Sequence, residues 1–360
     1  MRCTDISARS PSALMSLHAL QPCWDMQLAG LGADALRMAL EAGMFTHLEE
    51  FVSAPELARC LGLEPANTGY FLELLWGMEM LERRPREGGG MEYRMHVALR
   101  PYLHPASGQY CGDALLFRHQ VLRRVGMQLQ EELRNGVPEP KTVDPVAMQQ
   151  GWARAAKIQI SQEQQAVTAQ VACDILGRQP EFAQARRMLD LGGGPGLVAI
   201  ALAKLRQGLS GVVFEYPPVA AVAQDAIERA GLAGRLQARG GDLAAADFGS
   251  GYDFIWCSSV LHFVPNIPAV LARLHAALRP GGLLVCCHAE IGGDVRQARP
   301  VLQYYLHLRM QGRHVLPRGR LASLLRDAGF ARVEQIDGVC FPMAPVAVLL
   351  ARKGESKDPA

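Results

Sequence analysis

Met188-Leu-Asp190-Leu-Gly192-Gly-Gly194-Pro-Gly196 is the stretch on which the reading of this chain turns. An apolar run ends on an acid, glycines follow, and a helical pattern begins near Leu197. Glycine permits backbone angles and a close approach that a side chain forbids. A ligand can therefore lie against bare peptide at the carboxyl end of a first strand, where open α/β sheets bind their ligands. The glycines at 192, 194 and 196 read G-x-G-x-G rather than the dinucleotide pattern G-x-G-x-x-G, and no Walker-type lysine follows. On its own such a loop is also what an ordinary tight strand–helix turn looks like.

Beyond the loop, short apolar runs alternate with helical patterns. Strands are expected at 187–191, 211–215, 236–240, 252–257 and 282–288, helices at 198–205, 219–229 and 267–278, and two closing strands at 332–336 and 346–352. That alternation predicts a parallel sheet covered by helices on both faces. The second strand ends at Glu215, whose carboxylate can accept both hydroxyls of a ribose. The third ends at Gly240-Gly-Asp242-Leu243, where a carboxylate can accept from an adenine amine. Each acid alone could be a surface carboxylate or a helix cap. Three acids in register on successive strand ends, Asp190 included, point to an adenosyl ligand.

The N-terminal half reads differently. Apolar residues from Trp24 to Met44 recur at helical spacing, and Gly43 closes that helix. Ser53 and Glu56 have capping-box spacing, so a short helix runs to Gly62, and a second is expected over 67–80. Two strands around the Gly88-Gly-Gly90 turn follow. Residues 45–97 thus resemble a helix–turn–helix with a wing. Its second helix has no Lys or Arg and carries Glu73 and Glu79, the wrong charge for a helix facing phosphates. The module is read as a dimer interface, and nucleic acid is not expected as a partner. Residues 110–135 and 145–178 are long helical patterns joined by a loop at 135–140.

Composition limits the alternatives. The chain has 360 residues, 49% hydrophobic and 20% charged, with a formal net charge of +2, enough for two domains with sizeable cores. No apolar run reaches the length of a membrane span, and no signal peptide is read at the N-terminus. Nine cysteines without C-x-x-C spacing suit reduced thiols in the cytoplasm. Cys286-Cys287-His288 does not make a metal site, because neighbours on a strand face opposite ways.

Residues 186–352 look like a class I S-adenosylmethionine-dependent methyltransferase. The chain from about 25 to 352 resembles the small-molecule O-methyltransferase family that includes caffeate, hydroxyindole and bacterial antibiotic O-methyltransferases. The matching stretches are Leu189–Gly196, Phe214–Val219, Gly241–Leu243, Val260-Leu-His262, Ala277–Gly282 and Leu324–Phe330. The resemblance implies a seven-stranded Rossmann-like sheet and an all-helical, winged-helix-like N-terminal dimerisation domain, with the active site between the domains. It divides the chain into a flexible leader (1–21), a dimerisation domain (22–108), a helical substrate-lining region (109–180) and a cofactor domain (181–354). It implies S-adenosylmethionine as cofactor, a small-molecule acceptor, a cytoplasmic homodimer, no metal, and no membrane. By the family pattern, Asp190, Gly192, Gly194 and Gly196 hold the methionine end, Glu215 with Tyr216 the ribose, and Asp242 with Leu243 the adenine. Glu215 stands where aspartate is more usual. Ser258 stands in the cofactor-lining position that is often lysine, a contact that the change removes.

The resemblance makes His262 the general base. A histidine can take a phenol's proton near neutral pH when removal is concerted with methyl transfer. The family usually reads His-Asp-Trp; this chain reads His262-Phe-Val264. The carboxylate that usually flanks the base falls near His288, with Glu290 on the same strand face as a shifted substitute. The plainer reading of His262 is a packed histidine with no basic role. Trp152, Arg154, Lys157, Phe117, His119, Gln120 and the 304–310 helix are further candidates to face the acceptor. The alternative function is an enzyme that binds the cofactor and rearranges or cyclises it without methyl transfer.

Overall fold

The structure, a computed structural model, describes residues 18–137 and 144–355. The chain divides into two compact units between Ser107 and Gly108. The expected leader up to residue 17 and the tail from 356 lie outside the described residues.

The first unit opens with helix α1 (Gln21–Glu41), followed by Gly43 in the left-handed conformation at φ +66°. Helix α2 (Ala54–Leu61) starts at the predicted capping box: the Ser53 N–H donates to Glu56 at 3.0 Å, and the Ser53 side chain meets the N3 backbone. Helix α3 spans Pro65–Gly77 rather than 67–80. Its start is set by Pro65 at the first helical position and by the Glu64 carboxylate, which accepts from Ala66 and Asn67 N–H. Past its end Glu79 has φ +60°, outside helical space. Strands β1 (Val52–Ser53), β2 (Leu81–Pro85) and β3 (Met91–Met95) form an antiparallel sheet in the order β1-β3-β2. The unit is therefore not all-helical, as expected from the resemblance. The wing pairs with a third strand because Val52 and Ser53, just before the cap, are extended and reach Tyr93 and Glu92.

The second unit holds a seven-stranded sheet. Its strands are β4 (Arg187–Leu191), β5 (Ser210–Glu215), β6 (Leu236–Gly240), β7 (Tyr252–Ser258), β8 (Leu278–His288), β9 (Arg332–Val339) and β10 (Val346–Arg352). The order is β6-β5-β4-β7-β8-β10-β9; β4 to β8 run parallel and β10 is antiparallel to both neighbours. The strand order reverses between β4 and β7, the crevice where open sheets take ligands. The helices are α4 (Gly112–Asn135), α5 (Pro145–Ala155), α6 (Ala169–Leu176), α7 (Leu197–Leu205), α8 (Pro217–Arg229), α9 (Ile267–Ala277), α10 (Val295–Tyr304) and α11 (Arg320–Asp327). Between α5 and α6 the chain stays helical but widens into π-helical turns at Ala156–Ile160 and Gln164–Thr168. The helix expected over 304–310 is interrupted: α10 ends at Tyr304 and a short helix restarts at Leu306.

Successive strand residues face opposite layers. Leu189, Leu191, Phe214, Cys257 and Cys286 pack against α9 and α11. Met188, Val213, Trp256, Val285 and Cys287 pack against α6, α7 and α8. Cys286 and Cys287 thus sit in different cores.

One buried ion pair ties the helical region together. Arg118 of α4 donates to both oxygens of Glu163 at 2.7 Å and reaches the Tyr304 hydroxyl, while Gln159 also donates to Glu163. Removing one member of such a pair leaves the other charge without its counterion. Arg118→Leu is expected to lower unfolding free energy by about 3 kcal/mol, and Arg118→Leu with Glu163→Leu by less. Chemical denaturation of both variants measures this; a double variant worse than the single one contradicts the account.

Candidate functional site

The glycine loop joins β4 to α7, and its backbone is pinned from three sides. Gly192 N–H donates to the Phe214 carbonyl of β5 at 2.8 Å. Gly194 N–H donates to a Glu215 carboxylate oxygen at 3.0 Å, and Tyr216 N–H donates to the other at 2.9 Å. Gln164, from the second π-helical turn, donates to the Gly193 carbonyl at 3.0 Å and accepts from Leu197 N–H at 3.1 Å.

The loop needs its glycines. Gly192, Gly194 and Gly196 all have positive φ, at 64°, 59° and 76°. A Cβ on Gly192 would stand 2.2 Å from Val260, and one on Gly193 would stand 2.5 Å from Asp190. At Gly194 a Cβ would meet Ile160 at 3.2 Å. Gln164 and Ile160 carry no sequence signal; a widened helical turn against the loop is what brings them there.

Asp190 is 1% exposed, and neither carboxylate oxygen has a hydrogen-bond partner. A buried acid in that state is costly. Burial first, and then the neighbouring Glu215 charge, push its pKa up to about 7. Burial also raises the Glu215 carboxyl against its two backbone donors. The structure thus brings Asp190, the glycine loop, Glu215 and Tyr216 into one corner.

The remaining predicted residues lie around that corner in different states. Gly241 N–H donates to the Glu215 carbonyl at 2.8 Å, which sets the β6 turn beside β5. Asp242 is exposed; one oxygen accepts from Ala244 N–H at 2.9 Å, and its charge acts on the Tyr216 phenol. The Leu243 side chain is buried in the core, and its carbonyl accepts from Arg273 at 3.0 Å. Ser258 ends β7 opposite Cys287 and is half-buried.

After Ser258 the chain turns sharply. Ser259 takes φ +55°, and its N–H donates to the Cys287 carbonyl at 2.9 Å. The turn delivers His262 into a buried position, 3% exposed. His262 Nδ1 lies 2.5 Å from the His314 carbonyl, which can only accept, so Nδ1 carries the proton and Nε2 holds the lone pair. Nε2 is buried without a partner. The Tyr305 ring stands 4.8 Å from the imidazole and the His288 ring 5.1 Å. Burial lowers the His262 pKa.

Glu290 does not flank His262 as a shifted carboxylate. Its oxygens accept from Gly319 and Leu321 N–H at 3.1 and 3.4 Å and from Gln335 at 3.1 Å, so it caps α11 instead. Of the residues expected to face the acceptor, Trp152 packs edge-on to Phe263 at 5.1 Å.

Residues 161–335 match the methyltransferase domain family. The chain is 25% identical over 308 residues to a 3-hydroxy-5-methyl-1-naphthoate 3-O-methyltransferase of Streptomyces sahachiroi, covering 84% of this chain and 86% of that protein. It is 26% identical over 285 residues to the N,N-dimethyltransferase OxyT of Streptomyces rimosus, covering 78% and 81%. Human N-acetylserotonin methyltransferase, solved in complex with its cofactor, shares the fold at a TM-score of 0.73 and 19% identity, over 97% of this chain and 99% of that one.

Residues 161–335 carry a methyltransferase domain, and the activity that the comparisons support is that of an S-adenosylmethionine-dependent methyltransferase. The residues present fit that cofactor, since the unpartnered Asp190 carboxylate suits a cation and the bare loop would be filled by any Cβ. An open groove of about 1000 Å³ between the π-helical region and helices α7 and α8 contains none of the predicted acids.

A pH dependence follows from Asp190. With its carboxyl raised to about 7 in the free methyltransferase, the group is protonated below that pH and must ionise to receive a cation. Affinity for S-adenosylmethionine is expected to be flat above about pH 7 and to weaken by up to about tenfold per pH unit below it. Calorimetry from pH 5.5 to 8.5 (about three units, enough to span the step) checks this. Asp190→Asn should bind more weakly and show no step; a step surviving in that variant rules Asp190 out as its source.

Proposed function

We propose that the chain transfers a methyl group to a hydroxyl oxygen of a small, ring-bearing acceptor in secondary metabolism, with His262 as the base. The observation that carries the reading is the His262 tautomer: Nδ1–H is committed to the His314 carbonyl, which leaves a lone pair on an unpartnered Nε2. The naphthoate 3-O-methyltransferase, similar over most of its length, supports oxygen in a ring compound as the target.

In this reading Asp190 and the bare backbone of Gly192, Gly194 and Gly196 hold the methionine end. Glu215 accepts from the ribose; each of its oxygens keeps a lone pair beyond the backbone bond that it already accepts. Tyr216, Asp242, Leu243 and Ser258 line the nucleoside. When bound, the cofactor supplies a methyl carbon activated by a sulfonium. The chain's own work is to align the acceptor oxygen with that carbon and to take the hydroxyl proton at His262 Nε2. Incubation with labelled S-adenosylmethionine and a panel of aromatic hydroxy compounds should give S-adenosylhomocysteine and a methyl ether in equal amounts. His262→Ala should lower kcat by about 10²- to 10⁴-fold with cofactor affinity retained. Methylthioadenosine formed with no acceptor present would count against methyl transfer.

We also infer a cytoplasmic homodimer, with residues 22–108 as its dimerisation domain, 109–180 lining the substrate and 181–354 holding the cofactor. Among the described residues no helix is long and apolar enough to cross a membrane. Helix α1 leaves Trp24, Met26, Leu28 and Leu31 exposed, at 44%, 51%, 65% and 59%. Trp24, Leu28 and Leu31 share one helical face, and an exposed apolar face of that kind suits protein contact. Light scattering should give twice the chain mass, falling to one chain in Leu28→Glu with Leu31→Glu; a monomeric parent protein refutes the inference.

A further inference from the structure

No acid acts on the His262 imidazole: burial lowers its pKa first, and the His314 imidazole lowers it further. Nδ1–H meets the backbone carbonyl of His314. The Tyr305 and Phe263 rings lie at 4.8 and 6.3 Å. His288, at the end of β8, accepts the Leu261 N–H on Nε2 at 2.9 Å, so its Nδ1 carries the proton and it too is an uncharged imidazole. Its Nδ1 is buried without a partner, and burial holds its pKa well below the ordinary value. The nearest acid lining the same small cavity, Glu290, spends its carboxylate on the N-terminus of α11 and on Gln335. The cavity, about 10 Å³, holds at most one water, so no larger counterion fits beside the two rings.

This arrangement bears on which acceptor the site can serve, and the inference rests on the O-methylation reading above. For the oxygen to keep its electron pair for the new O–C bond, the hydroxyl proton must pass to Nε2 or have left already. Passing it to Nε2 makes an imidazolium in a buried corner with no anion to balance it, and the neutral His288 ring does not stabilise that charge. A simple phenol, with a pKa near 10, faces a proton transfer to an ordinary imidazole that is unfavourable by more than about a thousandfold, and burial of His262 widens the gap.

We propose that the natural acceptor carries a hydroxyl markedly more acidic than a simple phenol, such as an enol or a phenol conjugated to a quinone or carbonyl, and that His288 sets this preference by standing uncharged beside His262. Such a hydroxyl reaches the site largely ionised or gives up its proton without a strong base. His288 is a positioning residue here: it acts through His262 and not on the acceptor.

The test pairs two bicyclic probes of similar size, 2-hydroxy-1,4-naphthoquinone and 2-naphthol, with the full-length protein. The acidic probe should be methylated at least about tenfold faster in kcat/KM at pH 7.5. His288→Glu, which supplies a negative charge about 5 Å from the base, should accelerate 2-naphthol selectively and shrink that ratio by about tenfold; His288→Gln should leave the ratio as it was. A second readout needs no turnover and neither variant. Histidine-labelled NMR of the parent protein bound to S-adenosylhomocysteine should show one buried imidazole, assigned by its loss in His262→Ala, half-protonated only below pH 6.5. If neither probe accepts a methyl group, this titration decides alone: half-protonation at or above pH 6.5 overturns the proposal. Faster transfer to 2-naphthol overturns it while leaving the O-methylation reading intact. Transfer to amines alone overturns both.

Discussion

A carboxylate closed off from water, with no side-chain partner and only a weak approach of the Ala199 N–H, is the constraint on which the rest of this molecule depends. Asp190 ends β4 in that state, with Glu215 at the end of β5 beside it. Parallel pairing in register brings them together: Leu191 faces Phe214, so the residues that follow both strands emerge at one edge. The glycine loop then folds back over the pair and donates the Gly194 N–H to Glu215. Side chains at 192 or 193 would collide with Val260 or with Asp190 itself. In the proposed reading, a cation bound beside Asp190 offsets this unfavourable electrostatic arrangement.

The Rossmann half was legible because its signals are local. The β4 boundary follows from an apolar run bounded by an acid and glycines, and α8 from paired prolines at its first turn. The two-layer core follows from strand alternation and nothing else. What the sequence could not show depends on contacts between distant segments. The third strand of the first unit is two residues long and carries no periodicity, so the wing was read without its partner. Gln164 has no motif; it reaches the loop because the helix around it widens into π turns, a packing effect between segments far apart in the chain. Glu290 was placed by face alternation beyond the end of β8, but the strand stops at His288, and the acid swings to cap α11.

His262 shows the same division. Its position after β7 was readable, yet its chemistry is set by residues far along the chain: the His314 carbonyl fixes the tautomer, and His288 fixes the charge of the surroundings. Neither contact has a sequence pattern. The left-handed Ser259 that directs the turn is equally silent, since serine announces no positive φ.

The two corners of the proposed site therefore differ in kind. The cofactor corner is rich in carboxylate, with Asp190 buried, Glu215 half-buried and Asp242 at the rim. The corner around His262 holds imidazoles and tyrosines and no acid aimed at the base. Methyl transfer from a sulfonium dissipates positive charge as the new bond forms. Carboxylates close to the acceptor oxygen would compete with it for the cation, whereas carboxylates behind the cofactor hold the cation without meeting the nucleophile. Keeping anions on one side and neutral rings on the other leaves the acceptor oxygen as the most electron-rich group that faces the methyl carbon. That separation asks more of the acceptor than of the base, because the proton has no strong partner in the protein.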